Sequence, residues 1–151
     1  MKLLSIVCKI FFIGLIILNT GCKKAKEAVQ ENIMEQFYEQ NVLNKDFIIS
    51  YANNGTEDIT AQYDGYKFRL VKNSFYDGPL TATKDGITYT GSWSASQDYG
   101  KLTISMPLSP VSEFSFLNRE WRFIEKALPT MKLSPWIRTD TDVTELHITR
   151  L

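Results

Sequence analysis

Gly86-Ile87-Thr88-Tyr89-Thr90-Gly91-Ser92-Trp93 is the stretch whose reading decides the fold. Ile87, Tyr89 and Trp93 fall on one face, with Gly91 between them, while Thr88, Thr90 and Ser92 fall on the other. A period of two in β-branched and aromatic residues predicts a half-buried strand. Asp85-Gly86 in front of it is a tight-turn pair. Similar short runs lie on both sides, so this strand reads as the middle of an antiparallel meander.

Upstream, Phe47 to Tyr51 alternates through Phe47, Ile49 and Tyr51, and Ala52-Asn53-Asn54-Gly55 reads as a turn. Ile59 to Tyr63 predicts a second strand, and Asp64-Gly65 a turn. Tyr66 to Val71 predicts a third, with Tyr66, Phe68 and Leu70 inward and Lys67 and Arg69 outward. Asp77-Gly78-Pro79 reads as a break before Leu80 to Thr83.

Downstream, Ser94 to Gly100 is polar loop, and Leu102, Ile104 and Met106 alternate again. Ser109-Pro110 predicts an N-cap and first turn of a short helix over Val111 to about Asn118. Strand patterns return at Trp121 to Glu125, around Met131 and Leu133 up to Pro135, and at Thr144 to Ile148. About nine short strand-like segments joined by short turns predict a mainly β, antiparallel sandwich or barrel. No long helices alternate with strands, so a parallel α/β fold is not expected.

The first residues have a different character. Lys2 and Lys9 flank Met1 to Lys9, and Ile10 to Leu18 is an unbroken apolar run. At about 1.5 Å per helical residue, this run is far shorter than the roughly 30 Å core of a bilayer. It suits the apolar region of a signal peptide. It ends in Leu18-Asn19-Thr20-Gly21-Cys22, followed by Lys23 and Lys24. There the sequence resembles a bacterial lipoprotein signal. That resemblance implies cleavage before Cys22, a diacylglycerol on its thiol, and an acyl chain such as palmitate on the new amino terminus. Two or more chains suffice for stable anchoring, whereas one does not. Lys23 is not the aspartate that retains some Gram-negative lipoproteins at the inner membrane, so the resemblance implies a cell-envelope protein of the outer membrane.

Removing residues 1–21 takes two of the 17 basic side chains and none of the 17 acidic ones, leaving a net charge of about −2. Nothing in the chain forms the basic stripe that nucleic-acid binding requires. Cys8 departs with the signal, so an exported domain without disulfides must rely on its core. About 130 residues suffice for one such core. Residues 22–45 read as tether and N-terminal helix. Val29, Ile33 and Phe37, widened by Met34, Tyr38 and Leu43, form its apolar stripe, and Glu27, Glu31, Glu35 and Glu39 form an acidic row. That row is a solvated face or an acidic docking ridge.

Several motifs together suggest a family for residues 46–151. They are Tyr89-Thr90-Gly91-Ser92-Trp93 with Lys101-Leu102-Thr103-Ile104, then Phe116-Leu117-Asn118-Arg119-Glu120-Trp121, Met131-Lys132-Leu133 and the closing Leu146-His147-Ile148. The region resembles small lipocalin-like domains of bacterial surface lipoproteins. The resemblance implies an up-and-down β-barrel or half-barrel, behind a signal peptide and N-terminal helix. It implies no catalytic residues.

Catalytic constellations are not in evidence. His147 is the sole histidine and lies on the polar face of the last strand, which disfavours a Ser-His-Asp arrangement. Cys/His metal sites fail for want of ligands, and Asp140 and Asp142 lack the run of a calcium loop. No phosphate-cradling glycine loop is present, so neither enzyme activity nor a cofactor or metal is expected. What remains is aromatic. Tyr51, Phe68, Tyr89, Trp93, Trp121 and Phe123 are expected on the inner face. In a barrel of about eight strands such an interior is filled or holds one small ligand. One expectation is therefore a small apolar ligand touching Tyr51, Phe68, Tyr89, Trp93 and Trp121. The other is a packed barrel that docks on another envelope protein through its acidic row and the loop aromatics Trp136 and Tyr76.

Overall fold

The structure, a computed structural model, describes residues 33–151. The expected signal peptide, Cys22 and the first part of the expected helix lie outside the described residues. The chain divides into two compact units, Met1–Glu35 and Gln36–Leu151. Residues 33–35 of the first are helical.

Residues 36–41 continue the helix, which stops at a turn over residues 42–44. Asn44 takes a positive φ of 59° there, and its N–H donates to the Leu70 carbonyl at 2.8 Å. An asparagine tolerates that left-handed backbone better than most residues. The chain then enters β1 (Asp46–Asn53), followed by β2 (Lys67–Leu70), β3 (Asp77–Lys84), β4 (Ile87–Ala95), β5 (Lys101–Ser105), β6 (Glu120–Glu125), β7 (Thr130–Pro135) and β8 (Glu145–Arg150). Each strand pairs with the next, and β8 pairs with β1, all antiparallel. The sheet therefore closes into an eight-stranded barrel, which leaves no unpaired edge. The expected barrel, rather than a half-barrel, is what forms.

The central stretch behaves as its alternation demands. Over β4, Tyr89, Gly91, Trp93 and Ala95 turn inward while Thr88, Thr90, Ser92 and Ser94 face out. Asp85-Gly86, both with positive φ, makes the β3–β4 turn. Ile87 belongs to the inward set but lies at the hairpin tip and is exposed. Gly91 is required for a different reason. A Cβ there would lie 2.0 Å from the Ser105 carbonyl oxygen and 2.8 Å from Met106 Cα. The missing side chain is the gap through which the chain leaves β5.

Four expectations are corrected. Ile59 to Tyr63 is not a strand: Thr60–Tyr63 is a 3-10 turn, so the strands number eight rather than nine. Asp58 Oδ1 accepts the Thr60 N–H at 2.8 Å, and the Thr60 hydroxyl accepts the Ala52 N–H at 2.9 Å. Such local bonds compete with a ladder, and the apparent alternation there is incidental. Asp77-Gly78-Pro79 does not break the chain but opens β3, with Gly78 opposite Trp93 and Pro79 opposite Ser92. Pro79 lies just beyond the last β2–β3 pair, Leu70 with Leu80, and its carbonyl accepts the Val71 N–H at 2.8 Å.

The helix expected over Val111 to Asn118 is only a 3-10 stretch, Ser112–Phe116, preceded by Val111 without a side-chain cap. Phe114, Phe116 and Leu117 pull it into the mouth of the barrel, and burying them outweighs regular helix geometry. Finally, β1 carries a bulge between Ile49 and Tyr51. The extra residue inverts the alternation, so Ala52 is buried instead of Tyr51. Tyr51 stands on the outer face beside His147, with ring centroids 4.9 Å apart.

The core runs the length of the barrel and is capped at both ends. At the near end, where the chain enters β1, Tyr38, Val42 and Leu43 are buried. Tyr38 stacks on Tyr99 at 4.0 Å and meets Phe123 edge-on at 6.2 Å. The far end is closed by Tyr63 from the first 3-10 turn and by Phe114, Phe116 and Leu117.

Candidate functional site

The interior is the first place to look, because four of the five expected ligand-contacting aromatics line it. Trp93 is buried, and its Nε1 donates to the Val71 carbonyl at 2.9 Å. Trp121 is buried, with Nε1 donating to the Leu117 carbonyl at 3.0 Å. Those two bonds satisfy the indole donors inside the protein. Phe68 is held by Tyr63 at 6.3 Å, Tyr66 at 5.9 Å and Phe114 at 6.4 Å. Tyr89 is half-buried and packs on Phe114 at 5.5 Å. Tyr51, the fifth, is outside the barrel. Cys22 lies outside the described residues.

The rings that could have lined a cup are therefore in contact with plug residues. Phe114 reaches the Tyr66, Phe68 and Tyr89 rings together, and Phe116 meets Trp121 at 5.4 Å. The two plugs are tied to each other, since the Tyr63 hydroxyl donates to the Glu113 carbonyl at 2.9 Å. Burial pushes the Tyr63 phenol well above its ordinary value, and the same cause acts more strongly on Tyr38. Asn118 secures the strap that carries Phe114 and Phe116. Its Oδ1 accepts the Met106 N–H at 2.5 Å, and its Nδ2 donates to the Met106 carbonyl at 2.8 Å. Sequence reasoning gave these plug residues no special place, because a short run of Phe and Leu looks the same in any buried segment.

The outside of the barrel is of two kinds. On β2, β6, β7 and β8 the outward residues include the long, charged Lys67, Arg69, Arg122, Lys132 and Glu145, with the hydroxyls of Thr130 and Thr149 among them. On β3, β4 and β5 most of them are short hydroxyls, beside Asp77, Pro79 and Lys101. Thr81 pairs with Thr90, Thr83 with Thr88, Ser92 with Ser105 and Ser94 with Thr103. A recess of about 520 Å³ opens among Asp77, Pro79, Ser92, Ser94, Thr103 and Ser105.

The far-end loops form the third region. Among the described residues, five of the eight exposed large apolar side chains lie there: Ile87, Leu108, Trp136, Ile137 and Val143. Trp136 is where loop reasoning placed it, exposed. Tyr76 is not its neighbour: it is half-buried at the near end, 5.4 Å from Tyr99. Of the acidic row, Glu39 pairs with Lys72, whereas Glu27 and Glu31 lie outside the described residues.

A second recess, of about 400 Å³, opens beside Trp136 between the start of β6 and the end of β7. Arg119 contributes to its wall. The Arg119 guanidinium lies 4.8 Å from the Phe116 ring centroid and 5.2 Å from that of Trp121. Burial lowers its pKa from the ordinary arginine value, opposed by the charge of Asp142. Lys101 lies 5.2 Å from the Trp136 ring and is bonded to Glu120 at 2.9 Å. His147 bonds Glu145 at 2.7 Å on the outer wall, as its place in an alternating strand predicts. Asp142 accepts the Thr144 N–H at 2.8 Å. Comparison of the chain with protein-family models, curated proteins and solved structures finds no match.

Proposed function

We propose that this protein is a lipid-anchored lipoprotein of the cell envelope, without enzymatic activity, whose packed barrel is a rigid scaffold for docking on another envelope protein. The observation that carries this reading is where the apolar side chains go. The interior aromatics are engaged by plugs at both ends, while Ile87, Leu108, Trp136, Ile137 and Val143 are presented to solvent on loops of one end. A clustering of large exposed apolar residues at one end is the usual mark of a contact surface. The lipid anchor rests on Gly21-Cys22 after a short apolar run, and the outer-membrane location rests on Lys23. An internal apolar ligand is the less supported reading, because Trp93, Trp121, Phe68 and Tyr89 already have protein partners.

The test uses the full chain in its own envelope. A photo-crosslinking residue is placed at Ile137 or Val143 and, as a control, at Lys132 on the barrel wall. A discrete crosslinked product from the first two positions and not from Lys132 is expected. Equal products from all three would remove the docking face. Alkyne-palmitate labelling of the same chain should vanish in Cys22→Ala, and label that persists would remove the anchor.

A further inference from the structure

The recess beside Trp136 is more than a gap between loops, because of what its polar groups have in common. Asn118 spends its side chain on both backbone groups of Met106. The Glu120 carboxylate is bonded to Lys101. Beside the second oxygen of that lysine-paired carboxylate, what is left unbonded among the described residues is donors: the Arg119 guanidinium and the Trp136 indole N–H. Asp142 influences Arg119 only through space and accepts a backbone N–H of its own. The remaining wall is apolar, from Pro135 and Ile137, the latter 87% exposed.

A half-buried guanidinium with no anion hydrogen-bonded to it carries a desolvation cost. The Phe116 and Trp121 rings offset part of that cost but use none of the five N–H donors. A site with a free guanidinium, its one carboxylate already paired with Lys101, and an apolar wall selects a ligand that is anionic at one end and apolar at the other. The volume of about 400 Å³ admits a small organic acid. The geometry points to a binding site for a medium-chain carboxylate, with the carboxylate on Arg119 and the alkyl chain against Trp136, Pro135 and Ile137. A guanidinium and a carboxylate match in planar, two-pronged fashion, which makes the carboxylate the natural anion. This site lies outside the packed interior; it shares Trp136 and Ile137 with the proposed docking face, and its test needs no partner protein.

The full chain in lipid nanodiscs is titrated with octanoate and with octanol, and Trp136 is followed by the shift of its indole N–H signal. Octanoate is expected to bind at least about tenfold more tightly than octanol, because charge-assisted hydrogen bonds exceed neutral ones. Arg119→Gln should abolish that difference, and Arg119→Lys should keep part of it. Because Arg119 also touches core rings, a second variant removes any doubt about folding. Ile137 is almost fully exposed, so Ile137→Glu should leave the fold intact and repel octanoate by placing a like charge in the wall. Equal binding of octanoate and octanol, unchanged binding in both Arg119→Gln and Ile137→Glu, or no shift of the Trp136 signal up to millimolar octanoate would each overturn the site.

Discussion

Replacing Phe114 by alanine tests whether the barrel is plugged or hollow. The ring is fully buried and meets Tyr66, Tyr89 and Phe68 at 5.4, 5.5 and 6.4 Å. Truncating a buried Phe removes its transfer energy and leaves a void, together about 3–5 kcal/mol. The three ring pairs, each worth about 0.5–1.5 kcal/mol beyond area, place this site in the upper part of that range. Its position at a mouth, where loops can partly collapse, pulls it down, so about 4 kcal/mol is expected. With a urea slope of about 1.5 kcal/mol per M, the midpoint should fall by about 2–3 M. Phe114→Leu keeps an apolar filling and should cost less than about 1.5 kcal/mol. The assay is urea unfolding followed by tryptophan fluorescence and by circular dichroism. A small apolar probe such as benzene should stabilise the alanine variant and not the parent, because only the variant has the void. A loss below about 1 kcal/mol for Phe114→Ala would mean the ring is not core. The filled-interior argument would then fail.

Two further outcomes follow from the same geometry. Gly91→Ala should lower the melting temperature far more than Gly86→Ala, since its new Cβ meets backbone at 2.0 and 2.8 Å, whereas at Gly86 nothing lies within 4 Å. Backbone overlap of this kind should cost about 3 kcal/mol or more, against about 1 kcal/mol at Gly86 for its φ of +79°; a reversed order in thermal melts would refute the crossing of the chain at Gly91. In acid, Asp46, Asp58, Asp98 and Asp142 are all held below the ordinary carboxylate range, chiefly by hydrogen bonds from Arg69, Thr60, Ser96 and Thr144 respectively. Through that window the unfolded chain binds more protons than the native one, so their contribution is present above about pH 4 and is lost as pH falls through the folded values. Urea midpoints measured from about pH 6 down to pH 2 should stay level above pH 4 and decline below it, and a decline beginning above pH 5 would contradict the assignment.

Much of this architecture was open to reading along the chain, and the failures have local causes. Trp93, Trp121 and Phe68 point inward as their alternation predicts, because a strand stretch without irregularity keeps its parity. Tyr51 departs from its expected inward place because one bulge residue at Ile49–Tyr51 reverses parity, and nothing in Phe47-Ile48-Ile49-Ser50-Tyr51 marks it. The 3-10 turn at Thr60–Tyr63 resembles a strand in sequence because Ile59, Ala61 and Tyr63 happen to alternate. The candidate sites were harder to read, since each is an agreement between distant segments. Arg119 acquires its character from Phe116, Trp121, Trp136 and Ile137, which lie on different strands and loops.

By itself the sequence determined the mainly β, antiparallel class, the inward set on β4, the sole histidine's place on an outer wall, and the expectation of a lipid-bearing Cys22. These are properties of short windows, where side-chain period, turn residues and spacing act over a few positions. Only the tertiary structure decided that β8 returns to β1 and closes the barrel, that Phe114 and Tyr63 fill its far mouth, and that Gly91 is the gap for a crossing chain. Closure, plugging and crossing each depend on groups far apart in sequence meeting at van der Waals distance. No window of the chain contains both partners.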